Sequence, residues 1–184
     1  MPEYSTDYIT LGRMDAFEHQ LQMAERLTAI TQKIGFTLWQ LQELEGVTAQ
    51  YFVLLAQAQK GMGLAAGNSL VEKAQAKTFG TTIREFAKAG LLAPELEVRF
   101  SNLLVERNWL VHESRAGSRS AVYSDDAMHK LLFRIEAMAE ESNALLSEIG
   151  RLVDLFVKQH GVSDRQVENY ANQLLEQWHA ADAT

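Results

Sequence analysis

SDDAMHKLLFRIEAMAEESNALLSEIGRLVDLF, residues 124–156, is the stretch that decides the fold class of this 184-residue chain. Asp125 and Asp126 stand near its start, and acidic side chains are favourable at the positive end of a helix. Apolar or small residues then alternate four and three positions apart: Met128, Leu132, Ile135, Ala139, Ser142, Leu146, Ile149, Val153 and Phe156. This seven-residue repeat predicts one long helix that packs nearly parallel to its neighbours.

The rest of the chain also shows helical spacing, and no segment alternates with period two for long enough to predict a strand. A first helix is expected from Asp15, with Glu18 as its capping partner and a break or bend at Gly46. Residues 113–123 are polar and small, and they predict a loop. Start signals for four later helices are Ser69 with Glu72, Thr82 with Glu85, Pro94, and Ser163 with Gln166.

These segments together predict an all-α fold, an antiparallel, up-and-down bundle of five to seven helices. A chain of 184 residues is long enough for one well-packed core, so residues 1–184 are expected to form a single domain. Residues 1–14 are expected to be flexible, and an additional C-terminal helix is expected over residues 162–180.

The composition limits the classes of function. A formal net charge of −7 favours solubility and opposes sequence-independent binding of nucleic acid, so any contact with RNA needs a local positive patch. The chain has no cysteine, which excludes disulfides and thiolate metal sites. Its first thirteen residues do not resemble a signal peptide, and its apolar runs are too short to span a membrane. We therefore expect a soluble protein of the cytoplasm.

One charged residue interrupts the apolar stripe of the helix that begins at Pro94. Arg107 lies between Leu103 and Leu110 on that stripe, and arginine is rarely buried without a partner. Asn108 and His112 are four residues apart and share a helical face. Arg107 and His112 differ by about 140° around an ideal helix, so only the long arginine side chain lets both reach one point. The alternatives are structural: an arginine that extends its head to water, and a histidine that caps the helix.

The segment 106–112, Glu-Arg-Asn-Trp-Leu-Val-His, resembles the Arg-polar-x-x-x-His signature of the HEPN superfamily. Residues 78–83 and the Leu103-Leu104 pair resemble the sequence upstream of that signature, and the likeness covers roughly residues 36–156. The resemblance implies a helical bundle with the motif on a late core helix. It also implies a metal-independent endoribonuclease, often a component of a toxin–antitoxin or anti-phage system, and a homodimer that shares one cleft.

The resemblance assigns catalytic roles to Arg107, Asn108 and His112. Histidine titrates near neutral pH and can carry a proton, while the planar arginine can hold a phosphate and the asparagine can orient the histidine. No metal and no cofactor are expected. Arg115 and Arg119 are candidate phosphate-binding residues that extend the positive patch, the alternative being two arginines on a solvated loop.

The expected partners are RNA, a second copy of the chain, and an antitoxin or a nucleotidyltransferase. In one branch of the family such a transferase modifies a tyrosine two positions after the histidine, and this chain has Ser114 there. Two alternatives to a ribonuclease remain open. One is a non-catalytic interaction or regulatory protein, antitoxin-like, in which Arg107 is ion-paired. The other is a nucleotide-binding module in which Arg107 holds a phosphate.

Overall fold

A computed structural model describes residues 6–59 and 61–181 of the chain, with side chains over 17–59 and 61–180. The described residues form helices joined by turns and contain no strand, which confirms the prediction of an all-α fold. Their bounds are α1 Thr6–Ala56, α2 Leu64–Gln75, α3 Phe79–Ala89, α4 Pro94–His112, α5 Ser114–Ser118, a 3₁₀ turn Ser120–Val122, α6 Asp125–Gln159 and α7 Asp164–Ala181.

The predicted start and break of the first helix are wrong. Helix α1 begins at Thr6, so Asp15 lies inside it, and the helix continues through Gly46 without interruption. A Cβ atom added to Gly46 would lie 3.5 Å from the Gln75 side-chain nitrogen, an ordinary van der Waals distance, so a larger residue would also fit at this position of the helix. Tertiary packing here outweighs the weak helix propensity of glycine. The predicted flexibility of 1–14 stays a prediction, and its first five residues lie outside the described residues.

The predicted loop over residues 113–123 is also wrong. This segment forms α5 and the 3₁₀ turn. Its small residues Ser114 and Ala121 are buried, and the 3₁₀ turn packs against α1. Short side chains allow this close approach, whereas the polar composition of the segment had suggested solvent exposure.

The chain separates into two compact units, the first ending at Leu145 and the second beginning at Leu146. In the first unit, α1 contacts α2, α3 and α4, and α3 contacts α4. Aromatic side chains fill the space between α1 and α3. The centre of the Phe86 ring lies 5.0 Å from the centre of the Phe52 ring and 5.7 Å from that of Tyr51. Phe79 and Phe100 make an edge-to-face pair at 6.0 Å between α3 and α4. The expectation of a single domain over 1–184 stays a prediction.

Polar contacts give the relative directions of the long helices in the first unit. Between α4 and α6, Arg99 pairs with Glu141 and Glu106 pairs with Arg134, so the two helices run antiparallel. Between α1 and α6, Lys33 pairs with Glu136, and the Gln40 amide donates to Asn143 seven residues further along both helices. Helix α1 therefore runs parallel to the first part of α6, and the three helices alternate in direction along the chain.

The second unit contains the end of α6 and the helix α7, joined at Gly161, which has a positive φ of 82° that favours glycine. The predicted capping box at the start of α7 is confirmed, because the Gln166 side chain accepts hydrogen bonds from the Ser163 amide and hydroxyl. Lys158 lies near the turn and pairs with Asp154 at 3.0 Å and with Asp164 at 2.9 Å.

We expect the pKa of Lys158 to exceed its ordinary value of 10.5, because Asp164 and then Asp154 accept hydrogen bonds from its ammonium group. Since the folded state raises this pKa, the stabilisation is complete below pH 10.5 and is lost as the pH rises through the folded value. An NMR titration of the Lys158 side chain measures the pKa. Asp164→Asn should lower the pKa more than Asp154→Asn does, and equal titration of all three proteins would contradict the assignment.

Candidate functional site

The candidate site lies on the C-terminal half of α4. Pro94 occupies the first turn of this helix, as predicted, and its missing N–H leaves no unpaired donor there. Leu96, Phe100, Leu103 and Leu110 are buried along one face. Arg107 follows Leu103 by one turn on this face and is half-buried, so the sequence prediction of a charge within the apolar stripe is confirmed.

Arg107 is paired with a carboxylate. Its Nε donates to Glu45 Oε1 on α1 at 2.9 Å, and the side chains of Arg107 and Glu45 are 28% and 22% exposed. Its Nη1 makes a long contact of 3.5 Å with Asn108 Oδ1. Only one of the five guanidinium N–H groups is therefore used by the carboxylate, and the Nη edge retains donors for an anion.

Asn108 and His112 are both exposed on α4, one turn apart. His112 makes no hydrogen bond or ion pair within the part of the chain that the structure describes. The structure thus brings Arg107 and Asn108 into contact, and it leaves His112 open to solvent on the face that Asn108 shares. No hydrogen bond links Arg107 to His112 directly.

Arg134 on α6 fixes the other side of the motif. It pairs with Glu106 through two hydrogen bonds of 2.7 and 3.2 Å, and its guanidinium carbon lies 3.5 Å from the centre of the Trp109 ring. Paired hydrogen bonds and stacking on an aromatic face are the contacts that distinguish arginine from lysine. Glu45 and Arg134 thus hold α4 from two neighbouring helices, and neither was identified from the sequence.

Arg115 and Arg119, the remaining candidate residues, lie on α5 and directly after it. Both are exposed, and both line a hollow of about 300 Å³ whose other wall is α1. Arg115 is three residues beyond His112 in the sequence. Their assignment to an RNA phosphate stays a prediction.

A second hollow, of about 220 Å³, lies beside Glu45 and is lined by residues of α1, α2, α3 and the α2–α3 connection, most of them polar. Its one cationic lining residue, Lys77, donates to both carboxylate oxygens of Glu85 at 2.8 Å. The ammonium group of Lys77 is engaged by both oxygens of Glu85, whereas Arg107 contacts Glu45 through Nε alone, so the Nη edge of Arg107 keeps more donors for an anion.

Within residues 6–59 and 61–181, no three histidine, aspartate or glutamate side chains are grouped so that they could hold a metal ion. No helix in the same part of the chain is long and apolar enough to cross a membrane. No protein-family model, no curated protein and no solved structure matches the chain.

The pairing of Arg107 with Glu45 has a measurable consequence for stability. We expect a double-mutant cycle of Arg107→Ala and Glu45→Ala to give a coupling of about 1 kcal/mol, because both side chains are partly removed from water. Urea unfolding followed by circular dichroism provides the four free energies of unfolding. The matched control is the exposed pair Lys130 and Asp126, for which a coupling of only about 0.3–0.5 kcal/mol is expected. Equal coupling in both pairs would contradict the prediction.

Proposed function

We propose that this protein is a HEPN-like endoribonuclease that cuts RNA without a metal ion, and that Arg107, Asn108 and His112 carry the reaction. The observation that carries the proposal is the environment of the Arg107 side chain. A half-buried guanidinium is oriented by Glu45 through Nε and keeps its Nη donors available next to two exposed polar residues of the same motif. A fixed, planar donor is well suited to a phosphodiester.

In the proposed reaction the RNA 2′-oxygen attacks the adjacent phosphorus. The 2′-hydroxyl proton passes to His112, the bond between phosphorus and the 5′-oxygen breaks, and that oxygen receives a proton from His112 of a second copy of the chain, which enters the step protonated. The products are a 2′,3′-cyclic phosphate and a 5′-hydroxyl. Arg107 stabilises the negative charge that develops on the phosphate oxygens, and Asn108 orients the sugar-phosphate or the imidazole.

A homodimer is part of the proposal. General base and general acid are two roles, and the motif of one chain contains one histidine. Two copies of α4 that face each other supply both roles and place two Arg107 side chains in one cleft. Each Arg107 is paired with Glu45, so the cleft gains forked hydrogen-bond donors for a phosphate and little net positive charge to set against the acidity of the chain, whose net charge is −7.

The helical directions support the same fold class. Helices α1, α4 and the first part of α6 alternate in direction, as in an up-and-down bundle. In the order of the chain, α4 comes between the other two. We propose on this basis an up-and-down bundle with the motif on a core helix. The setting that the HEPN resemblance implies is a toxin–antitoxin or anti-phage system in the cytoplasm, with an antitoxin or a nucleotidyltransferase as the partner.

The test is RNA cleavage by the purified protein. We expect end-labelled, single-stranded RNA to be cut in the presence of EDTA and to yield fragments with a 2′,3′-cyclic phosphate. Arg107→Ala should reduce cleavage strongly, and Arg107→Lys should restore little, because lysine lacks the forked donors. The absence of cleavage at any protein concentration, or fragments with a 3′-hydroxyl, would contradict the proposal.

The Glu45 contact favours one alternative, a non-catalytic interaction protein in which Arg107 serves the fold. In that case Arg107→Ala and Glu45→Ala lower stability to a similar degree, and RNA remains uncut by the native protein. In the ribonuclease, by contrast, Glu45→Gln retains a hydrogen-bond acceptor for Nε and should keep most of the activity. Cleavage and urea stability measured on the same variants separate the two functions.

A further inference from the structure

The hollow between α1 and α5 has an apolar surface that the proposed RNA cleavage does not use. It encloses about 300 Å³ and is lined on the α1 side by Leu27, Ile30 and Ile34, with Val122 from the 3₁₀ turn completing the apolar surface. This volume is at the lower end of the range for small-molecule sites. Ile30 is 1% exposed, so the bottom of the hollow belongs to the folded core.

The apolar lining is entirely aliphatic. A nucleobase needs hydrogen-bond partners for the polar groups on its edge and prefers an aromatic or guanidinium face for stacking. Of the polar lining groups, the Thr31 and Ser118 hydroxyls already donate to carbonyls of their own helices, so the edge of a base would find few partners beyond Ser114 and two arginines. A hydrocarbon chain has no such groups, and it gains free energy from each methylene that it removes from water.

Two arginines stand beside this apolar surface. Arg115 and Arg119 are four residues apart and both line the hollow. Neither makes a hydrogen bond or an ion pair with any described residue, in a chain with 24 acidic residues and 17 lysines and arginines. Two unpaired guanidinium groups next to an aliphatic hollow are complementary to a ligand with an apolar body and an anionic end.

We propose that this hollow binds an aliphatic chain that ends in an anionic head group, with the chain against Leu27, Ile30 and Ile34 and the head group at Arg115 and Arg119. The volume admits a short or medium chain. The head group is a carboxylate or a phosphate monoester, both of which match the forked donors of arginine. This binding does not require the proposed RNA cleavage, and it gives Arg115 and Arg119 a ligand other than the RNA phosphate expected from the sequence.

Calorimetric titration of the full chain with hexanoate, octanoate and octyl phosphate, below their micellar concentrations, tests the proposal. We expect saturable binding, with a Kd that falls by up to about fourfold for each added methylene. Acetate, which has the charge alone, and octanol, which has the chain alone, should bind much more weakly. Tighter binding of octyl phosphate would assign a phosphate head group, and tighter binding of octanoate a carboxylate. The proposal would be overturned if octanol and octanoate bound equally well, or if neither octanoate nor octyl phosphate bound.

Two variants separate the head-group contact from the chain contact. Arg115→Gln combined with Arg119→Gln should weaken octanoate binding about tenfold, because charge-assisted hydrogen bonds are lost. Thr31→Phe should weaken it by occupying the hollow, without any change of charge. The matched control is Arg84→Gln on α3, outside the hollow, for which the affinity should stay within about twofold. Unchanged affinity in both hollow variants, with circular dichroism that shows intact folding, would contradict the assignment.

Discussion

We expect His112→Ala to reduce RNA cleavage by about 10²–10⁴-fold, since this is the usual contribution of a positioned proton carrier. The folded state should be almost unaffected. His112 is exposed and makes no hydrogen bond or ion pair with the described residues, so its loss should change the free energy of unfolding by no more than about 0.5 kcal/mol. Cleavage of end-labelled RNA in EDTA gives the rate, and circular dichroism gives the helix content.

The matched control for this variant is His129→Ala. His129 is also an exposed histidine on a helix of the first unit, and it lies outside the motif. We expect His129→Ala to cleave RNA at the rate of the unmodified protein. If His112→Ala retained full activity, His112 would have no catalytic role. If both variants lost activity equally, the loss would reflect a general effect on the protein and not proton transfer at the motif.

The pattern of α6 shows how far periodicity predicts burial. Of the nine positions of the predicted repeat, Ile135, Ala139, Ser142 and Ile149 are buried, and the other five are half-buried. The buried set also contains Leu131, Met138 and Leu145, which lie on a parallel seven-residue series displaced from the predicted one. Both series have the same period. Which of the two series is buried depends on where the neighbouring helices pack against α6. The sequence of a single helix does not specify that packing.

Helix starts were predictable where a proline occupies the first turn, as in α4, or where the side chains at the start make a capping bond. Ser163 and Gln166 form the expected box. Ser69 and Thr82, in contrast, lie inside helices that begin earlier, at Leu64 and at Phe79. The true cap of α3 is Thr78, which accepts a hydrogen bond from the Thr81 amide. Several residues near each start can serve as a cap, and tertiary contacts select among them.

The candidate site also has features that the local sequence predicts and features that depend on residues distant in the sequence. The shared exposure of Asn108 and His112 and the partial burial of Arg107 follow from helical spacing within α4. The carboxylate of Glu45 is 62 residues away in the sequence, and Arg134 is 28 residues from Glu106. No local pattern specifies these partners, because they are set by the packing of α1 and α6 against α4.

The largest effect on stability is expected for Phe86→Ala. Phe86 is 0% exposed, and its ring contacts Tyr51 and Phe52 on α1. Truncation removes these ring contacts and leaves a cavity that rigid helices fill only in part, so we expect a loss of about 3–5 kcal/mol. Urea unfolding followed by circular dichroism measures the loss. Since a domain of this size is stable by only about 5–15 kcal/mol, the variant should be close to the limit of folding.

Two further variants keep this prediction decisive even if Phe86→Ala fails to fold. Phe86→Leu retains most of the apolar volume but loses both ring contacts, and should therefore fold with an intermediate loss of stability. Phe133→Ala is the control, because its side chain is 74% exposed on α6 and the change should stay within about 0.5 kcal/mol. If Phe86 and Phe133 variants unfolded at the same urea concentration, Phe86 would not be a core residue between α1 and α3. The position of α3 against α1 depends on that ring, and so does the Thr82 wall of the hollow beside Glu45.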